Sequence, residues 1–201
     1  MLDLTDRLVV IVGGGAVAAR KAKGLLDAGA TRVRVISPAF CDQMPAGIEH
    51  VEQEYDPQHL SGATLVFAAT DQPEVNQRVV RDAHRLGLLV NRADADDDEP
   101  GDFTTPAILR DGGLLVTVSA GGSPALTAAI RDRIKEQVQP KWVRMAAAMQ
   151  ELRPRILAGG AAIDQRRAAF RDLASDEAMD VLERRGPDEL WTWLQARNKG
   201  I

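Results

Sequence analysis

A run of glycines, one carboxylate at a strand end and a few hydroxyl and basic side chains are the groups in this chain whose types and spacing could do chemistry. Gly13, Gly14 and Gly15 end an apolar, β-branched run (Leu8 to Val12) and lead into a helix-compatible stretch that starts at Ala16 and Val17. That order spells strand, tight turn and helix. Gly13 can take the sharp turn, Gly15 can let the backbone approach a pyrophosphate, and Ala18 fills the third place of G-x-G-x-x-G/A, where a small residue packs helix on strand. The N–H groups of the first helical turn then point at the anion. Asp94 is the carboxylate, directly after a short strand (Leu88 to Val90, closing at Asn91). Like-charge neighbours and partial burial would raise its pKa toward a range suited to proton transfer.

The elements needed to position these groups follow in order. The first helix, Ala16 to Ala28, stops at Gly29, and Arg32 to Ile36 alternates as a strand ending at Ser37-Pro38. In a dinucleotide fold that strand tip meets the adenosine ribose, where an acid usually stands about 20 residues past the glycines. No acid is there. Either the dinucleotide reading weakens, or Ser37 and the backbone of Pro38 and Ala39 replace it. Ile48 to Tyr55 predicts an edge strand, Asp56 to Leu60 a turn, and Thr64 to Ala69 a buried strand ending at Thr70-Asp71. Thr70 or Asp71 can cap the helix that Pro73 starts and Gly87 stops. The alternation predicts an α/β fold, a Rossmann-like parallel sheet with its ligand crevice at the carboxyl ends of the strands: Gly13 to Gly15, Ser37, Thr70 and Asn91.

Leu114 to Ser119 predicts a further strand, followed by Ala120-Gly121-Gly122 and a helix from Pro124 to about Val138 capped by Ser123. This second glycine loop can hold an anionic group or be only a turn. Helices are then predicted at Trp142 to Leu152, Ala161 to Leu173, Ser175 to Arg184 and Pro187 to Arg197, with Pro154 and Gly159-Gly160 separating the first two. Arg144, Arg153, Arg155, Arg166, Arg167 and Arg171 form a solvated surface or a polyanion dock. Trp191 and Trp193 cannot share a helix face, so one is expected to pack and the other to meet a partner or ligand.

Composition bounds the function. The chain has 201 residues, 45% hydrophobic and 27% charged, with a net charge of -4, as expected of a globular protein with no overall case for nucleic acid. Cys41 alone excludes an intrachain disulfide and a cysteine-rich zinc site and suits a reducing cytoplasm. The N-terminal apolar run is too short for a signal peptide or a membrane span. The acids Asp96, Asp97, Asp98 and Glu99 read as a solvated loop whose order does not fit a calcium site. His50, His59 and His84 lack paired ligand spacing, so no bound metal is expected.

The blocks GGGAVAARKAKGLLDAG, VISP, LVFAATDQPEVNQRV, VNRAD, DFTTPAILR, LLVTVSAGGSPAL and IRDRI occur in order from Leu8 to Ile134. Together they resemble the siroheme-synthase amino-terminal family, the precorrin-2 dehydrogenases and sirohydrochlorin ferrochelatases. The resemblance implies a homodimeric, NAD-dependent dehydrogenase converting precorrin-2 to sirohydrochlorin. It implies an NAD-binding domain over 1–112, a dimerisation segment over 113–145 and a helical module over 146–201. The family's catalytic aspartate falls on Asp94, and its NAD contacts on Ala16, Val17, Ser37, Pro38 and Ala39, beside Gly13, Gly14, Gly15, Thr70 and Asp71 of the crevice. Substrate contacts are expected at Asn91, Ser119, Gly121, Gly122, Ser123 and Arg131, with Arg20, Lys21 and Arg110 as further cations for a polycarboxylate. The chain departs from the family in a longer, more acidic loop after Asp94, and in Ala120 and Ala128. Two rival readings stand beside this one: a bifunctional enzyme that also inserts ferrous or cobalt ion, and a nucleotide-sensing regulatory module. A short-chain dehydrogenase does not fit, because Tyr55 has His59, not lysine, four residues on.

Overall fold

The computed structural model describes residues 2–94, 101–198 and 200–201, so the acids Asp96 to Glu99 lie outside the described residues. The chain divides into two compact units, Met1–Thr105 and Pro106–Ile201. The first holds β1 (Leu8–Val12), α1 (Ala16–Asp27), β2 (Arg32–Ile36), β3 (Glu49–Val51), β4 (Ala63–Ala68), α2 (Pro73–Arg85) and β5 (Leu89–Arg92). Its sheet runs β3-β2-β1-β4-β5 with every pairing parallel. β1 is central and all five of its residues are buried, which is why it reads as a continuous apolar run rather than an alternation. Leu8, Val10 and Val12 pack on one face with Val79, Val80 and Ala83 of α2. Val9 and Ile11 pack on the other with Ala18, Ala22 and Leu25 of α1. Each such side chain removed from water is worth roughly 1.5–3 kcal/mol, so the two cores fix the register of β1 against both helices.

Chain order reverses between β1 and β4, which places a crevice where neighbouring strand ends diverge. Backbone bonds carry the sheet one residue past the strands there: Gly13 N–H to Ile36 O at 2.8 Å, Ala69 N–H to Val12 O at 2.8 Å and Ala93 N–H to Ala68 O at 2.9 Å. At the outer edge of β5, Asp102 donates its N–H to Val90 O at 2.7 Å and accepts the Val90 N–H on Oδ2 at 2.8 Å, covering part of the sheet's edge. The expected turn at Asp56 to Leu60 is a 3-10 turn over Pro57–Leu60 with Asp56 accepting from Gln58 N–H. The expected cap of α2 is corrected. Gln72 holds the N-cap position without a side-chain bond, because Thr70 is engaged elsewhere, as described below.

The second unit begins with a hairpin, β6 (Ala107–Asp111) paired antiparallel with β7 (Leu114–Val118). Both of its strands fall in the unit that begins at Pro106. Five helices follow: α3 (Pro124–Gln137), α4 (Pro140–Ala158), α5 (Ile163–Leu173), α6 (Asp176–Arg185) and α7 (Pro187–Arg197). α4 runs straight across the expected boundary at 145 and through Pro154. The proline lies on the exposed side, and burial of Leu152 (3% exposed) and Ile156 (0% exposed) on the opposite side outweighs the single lost hydrogen bond. Met145, Leu152, Ile156, Leu173, Leu190 and Leu194 form the core of this unit. Among the described residues no helix is long and apolar enough to cross a membrane.

Candidate functional site

The glycine turn is built as its spacing implies, with the tasks divided differently among the three residues. Gly13 has φ +129° and lies so near β4 that a Cβ would stand 2.3 Å from the Ala69 carbonyl oxygen. Gly14 is pressed on the β2 tip, where a Cβ would stand 1.9 Å from Ala39 O and 2.6 Å from Ser37 Oγ. At Gly15 nothing lies within 4 Å of the Cβ position. Two glycines therefore serve packing and the third faces open space. Gly15 is the N-cap of α1 with no side-chain bond, and the first turn holds no acid. Its N–H groups and the positive end of the helix dipole are thus offered to an anion. Ala16 and Val17 are exposed at that turn while Ala18 is 0% exposed against the sheet. The cradle fits the pyrophosphate of a dinucleotide. Ser37, Pro38 and Ala39 form its wall at the β2 tip, and Cys41 N–H closes the wall by donating to Gly14 O at 2.8 Å.

Asp94 stands just past β5 on the same carboxyl-end edge, with a side chain 28% exposed. Arg92, whose side chain is only 2% exposed, grips it with two bonds, Nε to Oδ1 at 2.9 Å and Nη2 to Oδ2 at 3.1 Å. Asn76 of α2 also hydrogen-bonds the carboxylate. Burial pushes the Asp94 carboxyl up, but the bonds from Arg92 and Asn76 together with the guanidinium charge outweigh it, and the group is held below the usual carboxylate range. The raised pKa expected from sequence is therefore corrected: a cation two residues back on the strand governs this acid.

Asn76 itself is 0% exposed. Its Oδ1 accepts from Thr70 N–H at 3.0 Å and from Thr70 Oγ1 at 2.8 Å, and its Nδ2 donates to Thr70 O at 3.1 Å. One amide thus fixes the β4 tip beside Asp94, and Asp71 is left exposed. Asn91 is likewise bonded within the fold. It is 3% exposed, its Oδ1 accepts from Lys21 Nζ at 2.8 Å and its Nδ2 donates to Phe103 O at 2.7 Å. Both ends of that amide are used inside the fold, where Asn91 ties α1, β5 and the Phe103 segment together. Sequence reasoning passed over Asn76 and the grip of Arg92. Their signal was a polar residue inside an apolar helix face and a cation ending a buried strand.

In the second unit, Ser123 caps α3 by accepting from Leu126 N–H at 3.3 Å. Gly121 and Gly122 take φ +50° and +76° with open space around them, and Ser119 is exposed. Arg131 is occupied by its neighbour Asp132, with Nη2 to Oδ1 at 2.7 Å. The arginines of the helical tail do not form a single basic face: Arg144 pairs with Glu183, Arg167 with Asp164, and Arg153 and Arg155 lie over Phe170 and Trp191. Trp191 and Trp193 are both partly buried against the core of this unit. The histidines serve local structure: His59 Nδ1 accepts from Asp56 N–H, His50 meets the edge of Phe40, and His84 lies 3.1 Å from Asp102.

Residues 1–107 match a family model described as putative NAD(P)-binding. The chain is similar to siroheme synthase 1 of Aeromonas salmonicida, 36% identical over 91% of this chain and 40% of that protein. It is similar also to siroheme synthase of Nitrosospira multiformis, 38% identical over 77% of this chain and 34% of that protein. The chain thus spans about two fifths or less of these relatives' length. Among solved structures, SirC, a precorrin-2 dehydrogenase, superposes with a TM-score of 0.79 at 23% identity, covering 98% of each chain.

Proposed function

The chain belongs to the putative NAD(P)-binding family, and from that premise we propose that it is a dehydrogenase that oxidises precorrin-2 to sirohydrochlorin with NAD. The observation that carries the reading is the placement of a dinucleotide cradle and an ionised carboxylate on one edge of one sheet. Similarity to siroheme synthases supports the substrate. NAD rather than NADP is supported by the β2 tip, Ser37-Pro38-Ala39-Phe40-Cys41, which offers no arginine to a 2′-phosphate.

A bound nicotinamide supplies the acceptor for the two electrons that leave a ring carbon as hydride, and the accompanying proton goes to Asp94. The residues of the chain do the rest. Gly15 and the first turn of α1 hold the pyrophosphate, and Ser37 with the backbone of Pro38 and Ala39 receives the ribose. Thr70, fixed by Asn76, shapes the floor of the crevice. Because Asp94 is held ionised, it is a weaker proton acceptor than a tuned base. It also stabilises the positive charge that develops on the macrocycle as hydride departs, where a preoriented charge acts strongly. In the second unit the open turn at Gly121-Gly122, Ser119 and the capped start of α3 suit carboxylates. The apolar face of α3 supports a homodimer.

Anaerobic mixing of precorrin-2 and NAD with the protein tests the reading: reduced nicotinamide should accumulate at 340 nm in step with sirohydrochlorin absorbance. In Asp94→Ala that turnover should vanish while NAD still binds. An inert wild-type protein that binds NAD normally would overturn the assignment.

A further inference from the structure

We propose that Arg92 is a positioning residue: its guanidinium aims the Asp94 carboxylate and keeps it ionised when a polyanionic substrate arrives. The proposal rests on the reading of Asp94 as proton acceptor. Arg92 ends β5 in the run Leu-Val-Asn-Arg, and its side chain is 2% exposed. An arginine buried in that way is costly unless it is paired. The pairing with Asp94 is two bonds, Nε to Oδ1 at 2.9 Å and Nη2 to Oδ2 at 3.1 Å, a two-point grip that fixes the orientation of the carboxylate as well as its position. Asp94 remains 28% exposed, so the carboxylate is held by Arg92 and still open in part to a ligand.

The need for such a clamp follows from the charge of the substrate. A macrocycle bearing several carboxylates brings like charges to the acceptor, and like charges push a carboxyl toward protonation, the state in which it accepts nothing. Among the described residues, the groups acting on the Asp94 carboxylate are the Arg92 guanidinium from β5, the Asn76 amide from α2 and the backbone N–H of Asp94 itself. Only the first carries charge. Arg92 is thus the counter-charge that offsets the incoming anions.

The test is the pH dependence of kcat and kcat/KM in wild type, Arg92→Gln, Arg92→Lys and Asp94→Ala, with a direct titration of the Asp94 carboxyl carbon by NMR in the absence of substrate. In Arg92→Gln the Asp94 titration should rise by ~1 pH unit or more. The acid limb of kcat should rise further than that of kcat/KM, because only the bound complex feels the substrate's anions. Arg92→Lys keeps the charge and loses the two-point grip, so its acid limb should stay near wild type while kcat falls on the order of tenfold. An unmoved Asp94 titration in Arg92→Gln, or a loss equal at every pH, overturns the proposal even if Asp94→Ala is dead. If Asp94→Ala turns over normally, the acceptor reading fails and this proposal falls with it. Should Arg92→Gln fail to fold, an unchanged kcat in Arg92→Lys is enough to reject the aiming role.

Discussion

Lys21 and Asn91 face each other across the α1 side of the sheet, with Nζ 2.8 Å from Oδ1. Because Asn91 also donates to Phe103 O, one amide links α1, β5 and the segment returning along the sheet edge. Lys21 lies 5.0 Å from the centre of the Phe67 ring. Burial, with a smaller push from Arg20, lowers its ammonium to about 8. The unfolded chain, with an ordinary lysine, binds that proton up to a higher pH. Between about 8 and the ordinary lysine value the unfolded state therefore holds more protons, and stability attributable to Lys21 rises with pH. Urea denaturation at pH 7 and pH 10 should show wild type gaining ~1 kcal/mol or more relative to Lys21→Met. A difference that stays flat would mean that Lys21 is charged at no cost in the fold.

The glycine turn predicts opposite outcomes for neighbouring substitutions. At Gly14 a Cβ would meet the Ala39 carbonyl at 1.9 Å, and backbone must move. Gly14→Ala should lose roughly 1–3 kcal/mol of stability. At Gly15 the backbone is extended, with φ -83° and ψ -175°, and the Cβ position is open. Gly15→Val should melt near wild type and lose NAD affinity by on the order of tenfold or more, since its methyls fill the space a pyrophosphate needs. Thermal melting and fluorescence titration with NAD separate the two. Retained affinity in Gly15→Val would falsify the cradle.

Much of the first unit was legible because its signals are local. β1 and β2 fall at their sequence-expected bounds, and α1 and α2 end within one residue of theirs, since apolar runs, Gly29 and Pro73 mark them directly. β6 escaped notice because Ala107–Asp111 is short and half exposed, although the Asp111-Gly112-Gly113 turn after it is a hairpin signal. Pro154 misled because its cost, about 3 kcal/mol in a helix interior, is a local quantity. The burial of Leu152 and Ile156 that overrides it is a tertiary one. The same contrast holds at the site. The glycines announce themselves by spacing, whereas the state of Asp94 depends on Arg92 and on Asn76, which reaches it from α2.

Asn76 should be among the least replaceable polar residues of the first unit. Three of its bonds go to Thr70, and Asn76 itself is 0% exposed. In Asn76→Leu the Thr70 N–H and C=O lose their partners, and stability should fall by roughly 1–3 kcal/mol. The urea midpoint measures this. A midpoint within error of wild type would show that the β4 tip is held by other means.

α3 makes the last prediction. None of its 14 residues is fully buried, yet Leu126, Ala129, Ile130 and Ile134 line one apolar face, and Leu126 is 53% exposed. Their spacing is that of a helix stripe meant to be covered. If a second copy covers it, wild type should sediment as a dimer, and the double variant Leu126→Glu with Ile130→Glu should sediment as a monomer, because burying two carboxylates without partners costs several kcal/mol. NAD affinity should survive in that monomer, since the glycine cradle lies wholly within the first unit. A wild-type protein that stays monomeric at tens of micromolar would remove the second copy as the partner of this face.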